Sequence, residues 1–335
     1  MTEVGVVGCG YWGVNYVRVF NELPNSTVTR VCDQRLERLD FIKQRYPFVS
    51  THTTLSDLLR DAHMSAVVVS TPSSNHYEVA KACFQAGKHV LIEKPLTTTV
   101  KHCEELIQLA ADMERVLMVG HTFLYNAGIR KLKELVSKEE FGRMYYLHAT
   151  RTNLGPIRQD VNAVWDLAPH DISIFNYILG TLPIHVSAVG SKQLGEREDV
   201  AFITLTYPNN VIGNIHVSWA DPNKVREIVA VGSSQRIVFD DLNNLEHIRV
   251  FEKGVTHQQE ADSYGEFRLL MRDGDIISPK VEASEPLKNQ ALHFLDCIEK
   301  GQVPLTDGQN GLDVARVLVA VDKSLKKHGV PVEVR

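Results

Sequence analysis

The feature that most constrains this chain is a glycine turn at the end of its first apolar run. Residues 4–13 read VGVVGCGYWG, which sets Gly8, Gly10 and Gly13 in a G-x-G-x-x-G spacing after a strand-like segment and before a helical one. Each glycine then has its own duty. The first permits a tight turn, the second lets the backbone approach a pyrophosphate, and the third lets helix and strand pack closely. The helix start adds N–H groups and the positive end of its dipole. Tyr11 and Trp12 fall inside the turn and are grouped with the cofactor contacts. Asp33 closes the next apolar run, where a carboxylate can accept hydrogen bonds from ribose hydroxyls. It repels a 2′-phosphate and so points to NAD. Arg35, two residues on, softens that preference and keeps NADP in play.

The rest of the first third follows the same grammar. Short apolar runs at 4–7, 28–32, 66–70, 89–92 and 116–119 are continuous rather than alternating, as suits strands covered on both faces. Between them, 78–86 and 101–113 carry apolar residues at helical spacing, and Gly87 stands as a C-terminal stop. This predicts a doubly wound α/β domain over residues 1–122. After residue 123 the pattern changes. Helices are expected over 127–137 and 166–179, followed by longer, partly alternating strands at 185–189, 201–207, 211–219, 226–231 and 236–240. That predicts a second, α+β domain over 123–335, built on a large, mostly antiparallel open sheet. Residues 254–279 read as loops and edge strands, and 287–300 and 311–327 as closing helices, the last able to pack back on the first domain.

Composition narrows the function classes. At 335 residues the chain has room for roughly two domains. Its 36 basic and 41 acidic residues give a net charge of −5 with no concentrated basic run, which disfavours nucleic acid as a partner. No apolar stretch reaches the roughly 18 residues of a membrane span, and the N-terminus lacks a signal-peptide pattern. Cys9, Cys32, Cys83, Cys103 and Cys297 are scattered, odd in number and free of CxxC pairs, as expected of reduced thiols in the cytoplasm. No Cys/His spacing suggests a metal site, and no GxSxG elbow suggests a hydrolase.

Three further segments are more specific. Residues 70–76 read STPSSNH, 86–96 read AGKHVLIEKPL, and 120–126 read GHTFLYN. With the glycine turn, in this order, they resemble the Gfo/Idh/MocA family of sugar and cyclitol oxidoreductases over the whole chain. The Glu-Lys-Pro motif is the most specific element. The resemblance implies an N-terminal Rossmann domain, an NAD(P) cofactor, and hydride transfer at a secondary alcohol or ketone carbon. It implies that Lys94 sits beside the nicotinamide and the reacting carbon, with Glu93 orienting the turn or a cofactor hydroxyl and Pro95 holding the turn, often through a cis bond. It implies that Ser70, Thr71, Pro72, Asn75 and His76 line the nicotinamide and ribose side.

The second constellation is Trp165-Asp166-Leu-Ala-Pro-His170-Asp171. Asp166 and His170 are four apart and share a face if helical. Pro169 suits a first helical turn, which would set Asp166 at or near the cap. The family has an Asp-x-x-x-His pair at such a helix start, so the resemblance implies that His170 is a general acid/base or hydroxyl holder and that Asp166 orients substrate. The competing reading is a capping Asp and a core-facing His. Here Ala163-Val164-Trp165 replaces the glycines that precede the pair in many members.

His121 and Tyr125 are candidates for substrate contact or for core packing. The polar loop 151–162 offers Arg151, Arg158 and Gln159, and Trp165 follows it. A cationic loop there would suit a nucleotide diphosphate or a carboxylate. The closest resemblance is to members acting at carbon 3 of a nucleotide-linked hexose of the UDP-N-acetylglucosamine or uronate type. A free sugar or inositol dehydrogenase is the alternative, and a non-catalytic NAD(P)-binding sensor is the alternative class. An open apolar sheet face would be too large a patch to leave in water, and the family resemblance implies that it is buried in a homodimer or homotetramer.

Overall fold

The computed structural model describes residues 1–155, 157–158, 160–257 and 269–335, with backbone alone at 255–257 and 269–272. In chain order the first elements are β1 (Thr2–Val7), α1 (Tyr11–Glu22), β2 (Ser26–Cys32), α2 (Leu36–Arg45), β3 (Ser50–His52), α3 (Leu55–Leu59), β4 (Ala66–Val69), α4 (His76–Gln85), β5 (His89–Glu93), α5 (Val100–Asp112) and β6 (Leu117–Gly120). Next come α6 (Ala127–Val136), β7 (Met144–Thr152), α7 (Ala163–Leu179), β8 (His185–Ser191), β9 (Val200–Thr206), β10 (Ile212–Ser218), β11 (Val225–Gly232), β12 (Arg236–Asp240) and β13 (Ile248–Phe251). The chain ends with β14 (Gly254–His257), β15 (Leu269–Arg272), β16 (Ile276–Ile277), α8 (Pro286–Lys300), α9 (Gly308–Leu325) and β17 (Val332–Glu333).

Two compact units result: residues 1–125 with 284–319, and residues 126–283 with 320–335. The sequence pattern sets one break at 122 with the final helix able to pack back on the first domain; the division is discontinuous, and the first unit takes in α8 and most of α9. The reason lies on α8. Its Leu287, Ala291, Phe294 and Leu295 join a buried cluster with Tyr16, Val17 and Phe20 of α1. Phe20 and Phe294 meet edge to face at 6.4 Å.

The first unit holds a six-stranded sheet in the order β3-β2-β1-β4-β5-β6, with every pairing parallel. The continuous apolar runs are explained by burial on both faces. Ala66 and Val68 of β4 belong to the cluster beneath α1 and α8, while Val67 and Val69 belong to the opposite cluster with Ala80, Phe84 and Leu106 of α4 and α5. The strand order reverses between β1 and β4, the point at which open α/β sheets leave a crevice at their carboxyl ends.

The second unit is built on a nine-stranded sheet, β16-β13-β12-β11-β7-β10-β9-β8-β17. Only β7 and β10 run parallel; the other pairs are antiparallel. Leu147, Ala149, Ile203, Leu205, Ile215 and Val217 are buried on the face that α7 covers. Gly213 makes that approach possible, because a Cβ there would lie 2.9 Å from the Phe175 ring. The opposite face carries Tyr146, Val189, Phe202 and Ile212, all exposed. Of the segment expected to be loops and edge strands, β14 and β15 form a two-stranded ribbon, and 258–268 lie outside the described residues.

Candidate functional site

The three glycines of the opening motif behave as three different solutions. Gly8 has φ +91°, and a Cβ there would sit 2.6 Å from the Ser70 carbonyl oxygen. Gly13 is pressed against the turn so closely that a Cβ would fall 1.8 Å from the Gly8 carbonyl oxygen. Gly10 is the opposite case, with nothing within 4 Å of an added Cβ. It caps α1 without any side-chain bond, and the first turn of α1 carries no acidic residue. The result is a cradle with open space at its centre and helix N–H groups at its rim, which fits a pyrophosphate. Tyr11 and Trp12 stand exposed on the first turn and meet edge to face at 5.3 Å.

Asp33 is buried at the end of β2. Its Oδ2 accepts the Cys9 N–H at 2.7 Å and Arg35 Nη2 at 3.2 Å, and its Oδ1 accepts the Arg35 N–H at 2.9 Å and Nε at 3.1 Å. Burial pushes its pKa up, but the Arg35 side chain, the Arg35 and Cys9 amides and the Arg35 charge together hold it below the usual carboxylate value. All four acceptor positions of the carboxylate are thus in use. The half-exposed Arg35 side chain lies across them and must swing aside before a ribose can bind there. Nothing in the spacing of residues 33 and 35 announces this clamp.

Ser70 follows β4 and donates its hydroxyl to the Gly8 carbonyl at 2.6 Å. Thr71 Oγ1, beside the glycine cradle, is buried with no hydrogen-bond partner among the described residues, as suits a hydroxyl that meets a bound cofactor. Pro72 and Asn75 are exposed. His76 is buried and set between two turns, with Nδ1 2.8 Å from the Pro95 carbonyl oxygen and Nε2 3.0 Å from that of Thr71. It therefore ties the 71–76 segment to the Lys94–Pro95 turn, whose peptide bond is cis.

Glu93 ends β5 and is buried. Its Oε2 accepts the Lys94 N–H at 3.2 Å, and its Oε1 accepts the Tyr16 hydroxyl at 2.6 Å. Gln290 Nε2 donates to that hydroxyl oxygen at 3.2 Å, and Thr122 Oγ1 donates to Gln290 Oε1 at 2.6 Å. Tyr16 and Gln290 carry no motif signature, Thr122 falls in the GHTFLYN segment without pointing to a partner, and nothing in the sequence pairs residues 16, 93 and 290. His121 is fully buried beside this turn, with Nδ1 2.6 Å from Asn310 Oδ1. Burial pushes its pKa down to about 4 against the Asn310 bond, and the Lys94 charge adds to the lowering. Tyr125 is buried in the α1–α8 cluster with its hydroxyl 3.0 Å from Thr306 Oγ1.

In the second unit the helix expected to start near Asp166 begins at Ala163. Asn162 is the cap, its Oδ1 accepting the Trp165 N–H at 3.1 Å. Pro169 is consequently inside the helix, not in its first turn. The side chain that can cap lies four residues earlier than the proline suggested. Asp166 and His170 are half-exposed while Trp165, Ala168 and Pro169 are buried, so the pair does share the accessible face of α7. Asp166 Oδ1 accepts Arg158 Nη1 at 3.1 Å and its Oδ2 accepts Trp219 Nε1 at 3.3 Å. Arg158 also holds Asp160 through Nε at 2.9 Å and Nη2 at 2.6 Å. Trp165 Nε1 donates to Asp322 at 2.8 Å.

Arg151 is placed differently from its loop neighbours. It belongs to β7, is buried, and makes a two-pronged pair with Asp171, Nε to Oδ2 at 2.9 Å and Nη2 to Oδ1 at 2.7 Å. Gln159 lies outside the described residues. Among the described residues no group of three or more His, Cys, Asp or Glu could hold a metal ion, and no helix is long and apolar enough to cross a membrane.

Comparison with known proteins identifies the family. Residues 2–121 match an oxidoreductase family with an NAD-binding Rossmann fold, and residues 129–238 match the Gfo/Idh/MocA C-terminal domain. A UDP-N-acetylglucosamine 3-dehydrogenase from Acidithiobacillus ferrooxidans is 29% identical over 97% of this chain and 99% of its own. A myo-inositol 2-dehydrogenase from Thermotoga maritima is 26% identical over 97% and 96%. A solved structure of the A. ferrooxidans UDP-N-acetylglucosamine 3-dehydrogenase superposes with a TM-score of 0.81 at 25% identity, covering 97% of this chain and 98% of that one.

Proposed function

Because the chain belongs to the Gfo/Idh/MocA oxidoreductase family, and is an NAD(P)-dependent dehydrogenase acting on CH–OH groups, we propose that its substrate is a nucleotide-linked hexose oxidised or reduced at carbon 3. The observation that carries this reading is the similarity to the A. ferrooxidans enzyme over 97% of this chain and 99% of that one. NAD(P), when bound, supplies the hydride acceptor or donor. The glycine cradle and the N-terminus of α1 would hold its pyrophosphate, and Asp33, freed of the Arg35 side chain, would hold the adenosine ribose, which favours NAD over NADP. Lys94 Nζ and His170 serve the reacting hydroxyl, one holding its oxygen while the other takes its proton, and Asp166 orients the sugar.

Arg158 favours a second reading. Its guanidinium is engaged by two carboxylates, Asp160 and Asp166, so a phosphate must compete for it. A carboxylate-lined site of this kind suits the hydroxyls of a free sugar or an inositol. Absorbance at 340 nm with NAD⁺ or NADP⁺ separates the two. UDP-N-acetylglucosamine and its uronate should turn over and myo-inositol should not; turnover of myo-inositol alone overturns the nucleotide-sugar reading. Lys94→Ala should lower kcat by at least about a hundredfold. Arg158→Ala should raise KM for a UDP-sugar more than for a free sugar, and equal effects would remove its role toward a diphosphate.

The same reading places the protein in the cytoplasm, where its five buried free thiols suit a reducing environment. It also pairs two or four copies through the open face of the nine-stranded sheet, where Tyr146, Val189, Phe202 and Ile212 are exposed together. Sedimentation equilibrium showing a monomer at micromolar concentration overturns that assembly.

A further inference from the structure

We infer that Tyr16 and Gln290 are positioning residues for Lys94, acting through a buried relay that runs from Thr122 through Gln290 and Tyr16 to Glu93 and the Lys94 amide. The inference rests on the reading of Lys94 given above. The Thr122 hydroxyl lies 2.6 Å from Gln290 Oε1 and, more distantly, 3.3 Å from the Gly120 carbonyl oxygen. Glu93 Oε1 accepts the Tyr16 hydroxyl at 2.6 Å. The Tyr16 oxygen is then left to accept, which makes Gln290 Nε2 the donor at 3.2 Å and turns Gln290 Oε1 toward the Thr122 hydroxyl. Glu93 Oε2 accepts the Lys94 N–H at 3.2 Å.

The setting supports a positional role. Tyr16 and Gln290 are fully buried. Burial and the neighbouring Glu93 hold the Tyr16 hydroxyl well above its ordinary pKa, so it keeps its proton at working pH and remains a donor. Gly120 leaves room for the carboxylate, since a Cβ there would come 3.2 Å from Glu93 Oε1. Tyr16 lies on α1, the helix whose N-terminus forms the glycine cradle, so one rigid element sets both the cradle and the Lys94 turn. Gln290 comes from α8, far away in sequence, which gives that helix a task at the site beyond filling the core.

The test is Tyr16→Phe, which deletes the shared hydroxyl and keeps the ring. Single-residue hydrogen exchange read by mass spectrometry should show the Lys94 amide exchanging about tenfold faster. Amides of β1, β4 and β6 should stay within about twofold of wild type. NADH affinity, followed by fluorescence, should hold while kcat with UDP-N-acetylglucosamine or myo-inositol falls about tenfold. Gln290→Glu keeps the Thr122 bond but turns the donor into an acceptor that competes for the Tyr16 proton, and should accelerate Lys94 exchange in the same way. Unchanged Lys94 exchange, or acceleration spread evenly over the sheet, overturns the relay. So does an unchanged kcat. Lys94→Ala keeps the two readings apart: if it turns over like wild type, the catalytic reading fails while the exchange result still judges the relay. If Lys94→Ala is inactive and Tyr16→Phe is normal in both readouts, the relay alone fails.

Discussion

Arg151→Met is the most informative single change in the second unit. Sequence reading put Arg151 among the substrate contacts, but the structure sets it on β7 in a two-pronged pair with Asp171 of α7, with side chains only 6% and 1% exposed. Removing the guanidinium leaves the Asp171 carboxylate buried and uncompensated. Breaking a buried pair in this way costs about 3–5 kcal/mol, mostly the desolvation of the charge left behind. For domains of 150–250 residues each kcal/mol moves Tm by about 2–4 °C, so a fall on the order of 10 °C is expected. Asp171 adjoins His170, so the clamp also fixes which way the α7 face is turned, and kcat should fall with stability. Thermal unfolding by circular dichroism and urea titration give the first quantity; turnover at 340 nm gives the second. The double variant Arg151→Met/Asp171→Leu, with no charge left to bury, should recover stability to within about 1–2 kcal/mol of wild type. A loss below about 1 kcal/mol for Arg151→Met, joined to a selective rise in substrate KM, refutes the clamp and returns Arg151 to the ligand contacts.

Other expectations follow from the cofactor half. Arg35→Ala removes one hydrogen bond from each Asp33 oxygen and leaves the two backbone amides in place, and should tighten NADH binding relative to NADPH by about threefold or more, measured by fluorescence titration. Asp33→Ser with Arg35 retained should shift the preference toward NADPH by about tenfold. Gly13→Ala drives a methyl to 1.8 Å from the Gly8 carbonyl oxygen, and should cost about 1–3 kcal/mol in a urea titration and abolish detectable NADH binding. His121, held at about 4 in the folded protein against 6.5 when exposed, gives a pH signature. Between those values the unfolded chain binds a proton that the folded one does not, so stability falls as pH drops from about 6.5 toward 4, by roughly 3 kcal/mol in full. Urea titrations at pH 7 and pH 5 should differ by about 2 kcal/mol from this group, and His121→Gln should remove that share. His89, lowered to about 4 by burial and by Arg115, adds a slope of the same sign.

How much of the site could be read in advance depended on how local its causes are. The glycine turn was legible because its demands are met within ten residues: Gly8 needs a positive φ, Gly13 a missing Cβ, and Gly10 open space. Asp166 and His170 were legible as a pair because four residues of helix bring two side chains to one face. The start of that helix was not, because Pro169 tolerates an interior position once Asn162 supplies the cap. Arg151 and Arg158 looked alike in one polar loop. The ladder of β7 took the first into the core against Asp171, while the second stayed half-exposed between Asp160 and Asp166.

The order of apolar runs and glycines was enough for the nucleotide-binding architecture, since parallel strands buried on both faces need continuous apolar sequence and a phosphate turn needs particular glycines. The partners of the charged and polar side chains were decided only in three dimensions. Asp33 is clamped by Arg35, Tyr125 is spent on Thr306, and Glu93 is held by Tyr16 with Gln290 behind it. The division into units was decided there too, because α8 returns to α1 through Phe294 and Phe20 across most of the chain length. A side chain's backbone conformation is governed by its neighbours in sequence, but a buried donor or acceptor must be satisfied by whatever the fold brings within about 3 Å, and no spacing rule records that.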